Sequence, residues 1–183
     1  MPQFTHLHVH THYSILDGMS KVGDLIDKCK RTGMNAIAIT DHGNMFGIKE
    51  LVDTAAKVNG KVKDAIKALQ KELKKAEEIC NWDSVNEIKA QIEAKEKEYF
   101  KPIIGCEAYC ARRSLHNKDK DFKTINPENG KEQIVDASGY HLVLLAKNPK
   151  GYENLCKIVS MAWIDGYYRR PRIDKELLEE FHE

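Results

Sequence analysis

Histidine recurs at every second position from His6 to His12, with Leu7 and Val9 filling the places between His6, His8 and His10. A period of two belongs to extended backbone, in which residues i and i+2 share one face about 6.5–7 Å apart. The expectation is a strand over residues 4–9 whose alternate apolar side chains are buried. Two neighbouring imidazoles on one face can converge on a single metal ion, whose bonds to histidine nitrogen run to about 2.0–2.1 Å. His8 and His10 are the candidate pair, because they lie where the strand runs out into residues 11–18. That carboxyl end is where α/β folds build their sites. A histidine-rich amino end also arises as a tag or solvated tail, and Leu7 and Val9 argue against that reading.

Helical and extended patterns alternate downstream. Residues 20–32 read as a helix: Ser20 can cap it, Val22, Leu25, Ile26 and Cys29 have helical apolar spacing, and Gly33 ends it. Ala36-Ile37-Ala38-Ile39-Thr40 reads as a buried strand entering the loop Asp41-His42-Gly43. A helix is expected over about 48–58. Residues 102–108 form a third strand and 141–146 a fourth, with a helix over 152–163. Arg172-Ile173-Asp174 leads into another helix. Strands alternating with helices argue for an α/β fold with a parallel sheet or barrel.

Two stretches depart from that rhythm. Val62, Ile66, Leu69, Leu73, Ala76 and Cys80 are spaced four-three-four-three-four, a coiled-coil-like seam about 30 Å long. After Asn81-Trp82-Asp83, Ser84-Val85-Asn86-Glu87 reads as a capping box opening a second helix with Val85, Ile88, Ile92 and Tyr99. An antiparallel helical hairpin inserted over about 61–99 is expected, its interleaved Lys and Glu forming a solvated face. The second departure, about 112–138, is rich in Asn, Lys and Asp and reads as a mobile surface loop.

The 183 residues, 42% hydrophobic and 31% charged, suffice for one domain with a real core. A net charge of +1 excludes strong bulk attraction to nucleic acid or acidic membranes, leaving room for local basic patches. No apolar run matches a signal peptide or a membrane span. Five scattered cysteines do not make a disulfide framework, and Cys106 and Cys110 lack a second pair for a zinc knuckle. A reducing, cytoplasmic setting is expected.

Strand ends supply further donors: Asp17 after the first, His42 after the second, Glu107 in the third and His141 opening the fourth. Alternation puts Ile103, Gly105 and Glu107 on one face of the third strand and Ile104, Cys106 and Ala108 on the other. A carboxylate near a core costs several kcal/mol unless paired. Imidazoles facing one carboxylate suit zinc, manganese or iron. Each residue also has a plainer reading: Asp17-Gly18 a turn, Asp41-His42-Gly43 a strand exit, Glu107 a partner for lysine, His141 a core histidine. Tyr167-Tyr168-Arg169-Arg170 mixes aromatics and guanidiniums, as single-strand contacts do; the alternative is an aromatic pair beside a solvated loop.

Together these segments resemble the PHP (polymerase and histidinol phosphatase) domain. They are His6-Leu7-His8-Val9-His10-Thr11 with Ser14-Ile15-Leu16-Asp17-Gly18, Ala38-Ile39-Thr40-Asp41-His42-Gly43-Asn44-Met45-Phe46-Gly47, and Lys101-Pro102-Ile103-Ile104-Gly105-Cys106-Glu107-Ala108-Tyr109. His141-Leu142-Val143-Leu144-Leu145-Ala146-Lys147-Asn148, then Gly151-Tyr152-Glu153-Asn154-Leu155, Gly166-Tyr167-Tyr168 and Pro171-Arg172-Ile173-Asp174 narrow it. They are similar to the PHP domains that open bacterial DNA polymerase III alpha subunits, the C-family replicative polymerases.

The resemblance implies the amino-terminal part of a distorted (β/α)7 barrel holding up to three divalent metals, zinc first, with manganese or iron as alternatives. It implies ligands at His8, His10, Asp17, His42, Glu107 (bridging) and His141, with Asp41 orienting His42 from behind. His6 gets no ligand role, and His12, His116 and His182 match no motif position. Further family ligands and the polymerase domains would lie beyond residue 183, so residues 1–183 are expected to be a partial PHP domain that binds metal weakly and associates through an open sheet edge. The implied parent is a DNA-directed DNA polymerase, with DNA, other replisome subunits and a proofreading subunit as partners. Within it the domain is either a metal-dependent 3′–5′ exonuclease or phosphoesterase, or a scaffold and docking module. Two rivals are a stand-alone phosphoesterase of the histidinol-phosphatase type and a binding module whose hairpin recruits a partner.

Overall fold

The structure, a computed structural model, describes residues 4–137 and 139–182. The chain divides into two compact units. One comprises Val22–Ile37 and Lys49–Pro102 with residues 4–5; the other comprises His6–Lys21, Ala38–Ile48 and residues 103–182.

In the first unit, α1 (Val22–Arg31) buries Val22, Ile26 and Cys29, the stripe that helical spacing demands. Its end is a Schellman turn: Met34 N donates to Cys29 O at 2.8 Å and Gly33 N to Lys30 O at 3.2 Å. β1 (Ala36–Ile39) begins here. α2 (Ile48–Glu78) runs unbroken for 31 residues, so the boundary expected near residue 58 does not exist. Gly60 sits within the helix, a penalty of about 1 kcal/mol that the flanking apolar stripe absorbs.

Two residues past the end of α2, Cys80 has a φ of 54°, a left-handed turn. Asn81, not Ser84, caps α3 (Trp82–Glu96), its side chain accepting from Ser84 N. The expected capping box therefore lies three residues inside the true start. The two helices lie side by side: Lys89 faces Glu77 at 3.9 Å, and Ala65, Ala68 and Leu69 share a cleft with Gln91, Ala94 and Lys95. Val62, Ile66, Ala76 and Val85 are buried, whereas Cys80 is exposed. The side-chain amide of Asn59 accepts from Phe100 N and donates to Phe100 O, holding the entry to β2 (Lys101–Ala111) against α2.

The second unit holds most of a mixed sheet in the order β1–β2–β5, with β6 (Arg172–Ile173) also on β2. β6 is parallel to β2, but β5 (Gly139–Leu145) is antiparallel, with Glu107 opposite Val143 and Tyr109 opposite His141. The expectation of a parallel fourth strand fails here. The intervening stretch is not a structureless loop; β3 (Lys123–Ile125) and β4 (Glu132–Ile134) pair antiparallel within it. Its last residue, Ser138, lies outside the described residues. Asp136 anchors the excursion, accepting from Arg113 Nε at 2.8 Å and Nη2 at 2.5 Å and from Asp119 N at 2.8 Å.

One sheet face carries Ala108 and packs on α4 (Pro149–Ile164) and α5 (Lys175–Glu180) through Leu115, Ile158, Ala162, Ile173 and Leu177. Asn148 caps α4 and Asp174 caps α5. The opposite face is left for polar chemistry. Among the described residues, no helix is long and apolar enough to cross a membrane.

Candidate metal centre

The histidine-rich amino segment is not a regular strand. It runs beside β1 through two backbone bonds, Ala38 N to His6 O and Thr40 N to Val9 O, both 2.9 Å. Three steps from His6 to Val9 face two from Ala38 to Thr40, which breaks a regular ladder. Leu7 is 50% exposed, so the buried alternation expected at Leu7 and Val9 does not hold. His8 and His10 nevertheless point to one place. Residues 11–18 then fold into a tight turn in which a Cβ at Gly18 would meet Thr11 O at 2.1 Å, so only glycine fits. The turn brings Asp17 back to His10, and its turn role and its site role coexist.

His42 follows β1, where it bridges to Glu107 in parallel fashion. Glu107 sits in mid-β2 rather than at a strand end and is 3% exposed. The antiparallel direction of β5 explains His141: the beginning of that strand lies beside the later half of β2. All six candidate ligands thus meet on one face.

Distances define three overlapping donor triads: His8, His10 and Glu107; His10, Asp17 and His42; His42, Glu107 and His141. Glu107 Oε2 lies 2.7 Å from His8 Nε2 and 2.5 Å from His10 Nε2, while Oε1 lies 2.6 Å from His141 Nδ1. Asp17 Oδ2 lies 2.5 Å from His10 Nδ1 and 2.8 Å from His42 Nε2. The His8 and His10 Nε2 atoms are 3.1 Å apart. Two nitrogens bound tetrahedrally to one zinc would be about 3.3 Å apart, given bonds of about 2.0–2.1 Å. His42 Nδ1 is buried with no hydrogen-bond partner among the described residues, 3.5 Å from Glu107 Oε2. Convergent ring nitrogens, an orphaned one among them, fit a divalent cation and fit nothing apolar.

A sequence model of the family described as PHP domain matches residues 6–183. The chain belongs to the PHP domain family. This PHP domain is also 40% identical over 181 residues to DNA polymerase III subunit alpha of Borreliella burgdorferi. It is 36% identical over 180 residues to that of Aquifex aeolicus and 33% over 180 residues to that of Treponema pallidum. These alignments cover 99%, 98% and 98% of the PHP domain but 11%, 12% and 11% of the relatives, so the chain spans a small part of their length.

Lone-pair counting limits how this PHP domain can load its triads. A neutral imidazole offers one lone pair and one N–H. His10 and His42 each belong to two triads through different nitrogens, so the three triads serve at most two three-donor ions at once. Filled together, two ions would be held one by His8, His10 and Glu107 and the other by His42, Glu107 and His141. Asp17 then accepts N–H bonds from His10 and His42, fixing both rings as outer carboxylates do.

Burial pushes the Glu107 carboxyl up, but hydrogen bonds from His8, His10 and His141 and the nearby His42 more than offset it, holding it at about 2. Hydrogen bonds from His10 and His42 likewise hold Asp17 below the ordinary carboxylate range. Both stay anionic at neutral pH. Cys106, on the opposite face and fully buried, is pushed up by burial to about 12 and is neither ligand nor nucleophile.

The Asp41 carboxylate bonds to the turn that precedes the site. Its Oδ1 accepts from Thr11 N at 2.7 Å and Ser14 Oγ at 2.6 Å, and its Oδ2 from Thr11 Oγ1 at 2.8 Å. Ser14 Oγ in turn accepts from His42 N at 3.1 Å, so Asp41 reaches His42 through Ser14. Thr11, Ser14 and Tyr109 lie inside the segments that carry the resemblance, and the sequence alone gives them no role. Tyr109 was open to discovery, since two positions after Glu107 on a strand is the same face. Its ring lies 5.7 Å from His42, stacked at 13°, and 4.9 Å from His141. Arg169 and Arg170 are both exposed, and with His141 they line one groove. His12, His116 and His182 are exposed.

Proposed function

We propose that this PHP domain is a metal-dependent phosphoester-hydrolysing module belonging to a DNA polymerase III alpha subunit. The observation that carries the reading is the buried Glu107 carboxylate with three imidazole nitrogens within 2.7 Å of its two oxygens. His8, His10, His42, Glu107 and His141 are the proposed ligands of zinc, with manganese or iron as alternatives, and Asp17 binds or orients. A divalent cation there supplies Lewis-acid polarisation of a phosphoryl oxygen and activation of a water nucleophile. Glu107 supplies fixed negative charge, and Asp17 holds the His10 and His42 rings in place. Similarity to DNA polymerase III subunit alpha supports DNA as the substrate; the proposal adds a 3′ end as the point of attack, other replisome subunits as partners and the cytoplasm as the location. In this reading residues 1–183 are part of a PHP domain, α2 and α3 form an elaboration over about 61–99, and polymerase domains lie elsewhere in the parent.

Elemental analysis of the purified chain, followed by incubation with end-labelled single-stranded DNA and with histidinol phosphate, tests this. Bound zinc and 3′-end shortening, both lost in Glu107→Gln, are expected. Cleavage of the small ester alone would favour a stand-alone phosphoesterase. Full metal loading with no hydrolysis of either substrate would leave a scaffold or docking role for a proofreading subunit.

A further inference from the structure

The segment between α4 and β6 carries two guanidiniums that form no ion pair and no side-chain hydrogen bond among the described residues, those of Arg169 and Arg170. Both are exposed, yet the backbone that carries them is fixed. Arg172, 1% exposed, donates to Gly166 O at 2.9 Å, Asp136 O at 2.6 Å and Leu115 O at 2.6 Å, tying down the far side of the segment. Tyr168 N donates to Arg170 O at 3.1 Å, closing a tight turn over Arg169. Pro171 is buried against Gly43, where a Cβ would come within 2.7 Å of the proline ring and φ is +60°. Only glycine meets both conditions, so the residue after His42 and the residue after Arg170 are in forced contact. Trp163 Nε1, donating to Gly43 O at 2.8 Å, locks the same point from α4.

This frame sets the Arg170 guanidinium 4.9 Å above the Tyr109 ring, the ring that packs on His42 and His141. A guanidinium lying on an aromatic face keeps its N–H fork at the edge for a ligand. Next to it opens a groove of about 650 Å³ lined by His141, Arg169 and Arg170 and by Asn126, Glu128, Glu132 and Gln133 of the β3–β4 excursion. Gln133 Nε2 is buried and lacks a hydrogen-bond partner among the described residues, a donor waiting for an acceptor. The volume falls within the range of sites for drug-sized ligands and exceeds what one phosphoryl group needs. Glu128 and Glu132 on the same lining work against a long polyanion.

We propose that Arg170, held on Tyr109 beside His141, is an anion seat for one phosphate of a short single-stranded nucleic acid end. The β3–β4 groove takes the adjoining nucleoside. The inference rests on the hydrolytic reading above for its purpose, not for its binding chemistry. Arg170 orients the phosphodiester against the donor triads, and Arg169 is an auxiliary charge. Recognition is short and local, because the Glu128 and Glu132 carboxylates on the lining repel further backbone phosphates.

The test titrates the whole 183-residue chain with 5′-labelled oligothymidylate, by anisotropy, across a salt series, in EDTA and again with zinc. Arg170→Ala should weaken binding about tenfold and flatten the log–log salt slope by about 0.7, the value for one single-strand phosphate contact. Arg170→Lys should restore the slope but not the full affinity, since an ammonium lacks the planar fork. Zinc content per chain should match wild type in both variants, and Lys175→Ala, a charge control away from the groove, should change neither quantity. Wild-type affinity and slope in Arg170→Ala, an equal loss in Lys175→Ala, or no binding by wild type would each overturn the seat. A chain that holds no zinc yet binds through Arg170 would sink the hydrolytic reading and leave the seat standing; zinc-loaded protein indifferent to Arg170 would do the reverse.

Discussion

Tyr109 and His141 face each other across the antiparallel β2–β5 pair, their ring centroids 4.9 Å apart at an interplanar angle of 90°. The same tyrosine ring stacks on His42, so two proposed ligands from distant segments lean on one aromatic side chain. Tyr109→Leu should therefore lower zinc affinity about 10–100-fold, the range for residues that orient ligands. Tyr109→Phe, which keeps the ring, should stay within a factor of about three of wild type by the same reasoning. Competition with a chromogenic chelator reads both values.

Asp41 is 1% exposed and its carboxylate accepts three hydrogen bonds. Each such bond to a charged group contributes about 1.5–3 kcal/mol. Asp41→Ala should destabilise the metal-free chain by about 3 kcal/mol or more in urea unfolding. Ser14→Ala removes the link to His42 N and should cost metal affinity more than stability. Equal effects of Ser14→Ala on both would deny it a positioning role.

Acid should weaken the β3–β4 anchorage. The Arg113 guanidinium beside Asp136 holds its carboxyl below the usual range, overcoming the burial that raises it. For Asp174, burial raises the carboxyl, and hydrogen bonds from Leu115 N, Leu177 N and Ser114 together lower it below that range. A lowered carboxyl contributes stability that is present above its unfolded value, about 3.9, and is lost as pH falls through the folded value. In EDTA the unfolding midpoint should be level from about pH 7 to 5 and drop below about pH 4. Asp136→Asn should start less stable and lose less over that window. A midpoint that rises on acidification would contradict the assignment.

Thiol labelling should sort the cysteines by burial. Cys80, at the exposed end of α2, should react with a disulfide reagent in the native chain. Cys29 and Cys106, 2% and 0% exposed with thiols raised by burial, should react at least about a hundredfold more slowly and only on unfolding. Fast native labelling of Cys106 would mean that β2 opens far more readily than its packing allows.

Residue chemistry made much of the centre legible before any fold was known. His, Asp and Glu at the ends of apolar runs carry their purpose in their side chains, and all six candidates converge. The stripe of α1 and the apolar block at β1 were equally readable, because burial periodicity is a local property. Alternation along β2 was enough to separate Glu107 from Cys106.

What the sequence could not disclose is pairing. A period of two is the same for parallel and antiparallel strands, so nothing local announced that β5 runs backwards and delivers His141 by its beginning. Gly60 and the Ser84 motif carry ordinary break and cap signals, and packing of the apolar stripes on α2 and α3 overrode the first while Asn81 pre-empted the second. The polar stretch folded because Asp136 is clamped by Arg113 and the Asp136 carbonyl by the buried Arg172, groups 23 and 36 residues away. Side-chain type and local period are written residue by residue; strand direction, register and buried charge pairing arise only when distant segments meet.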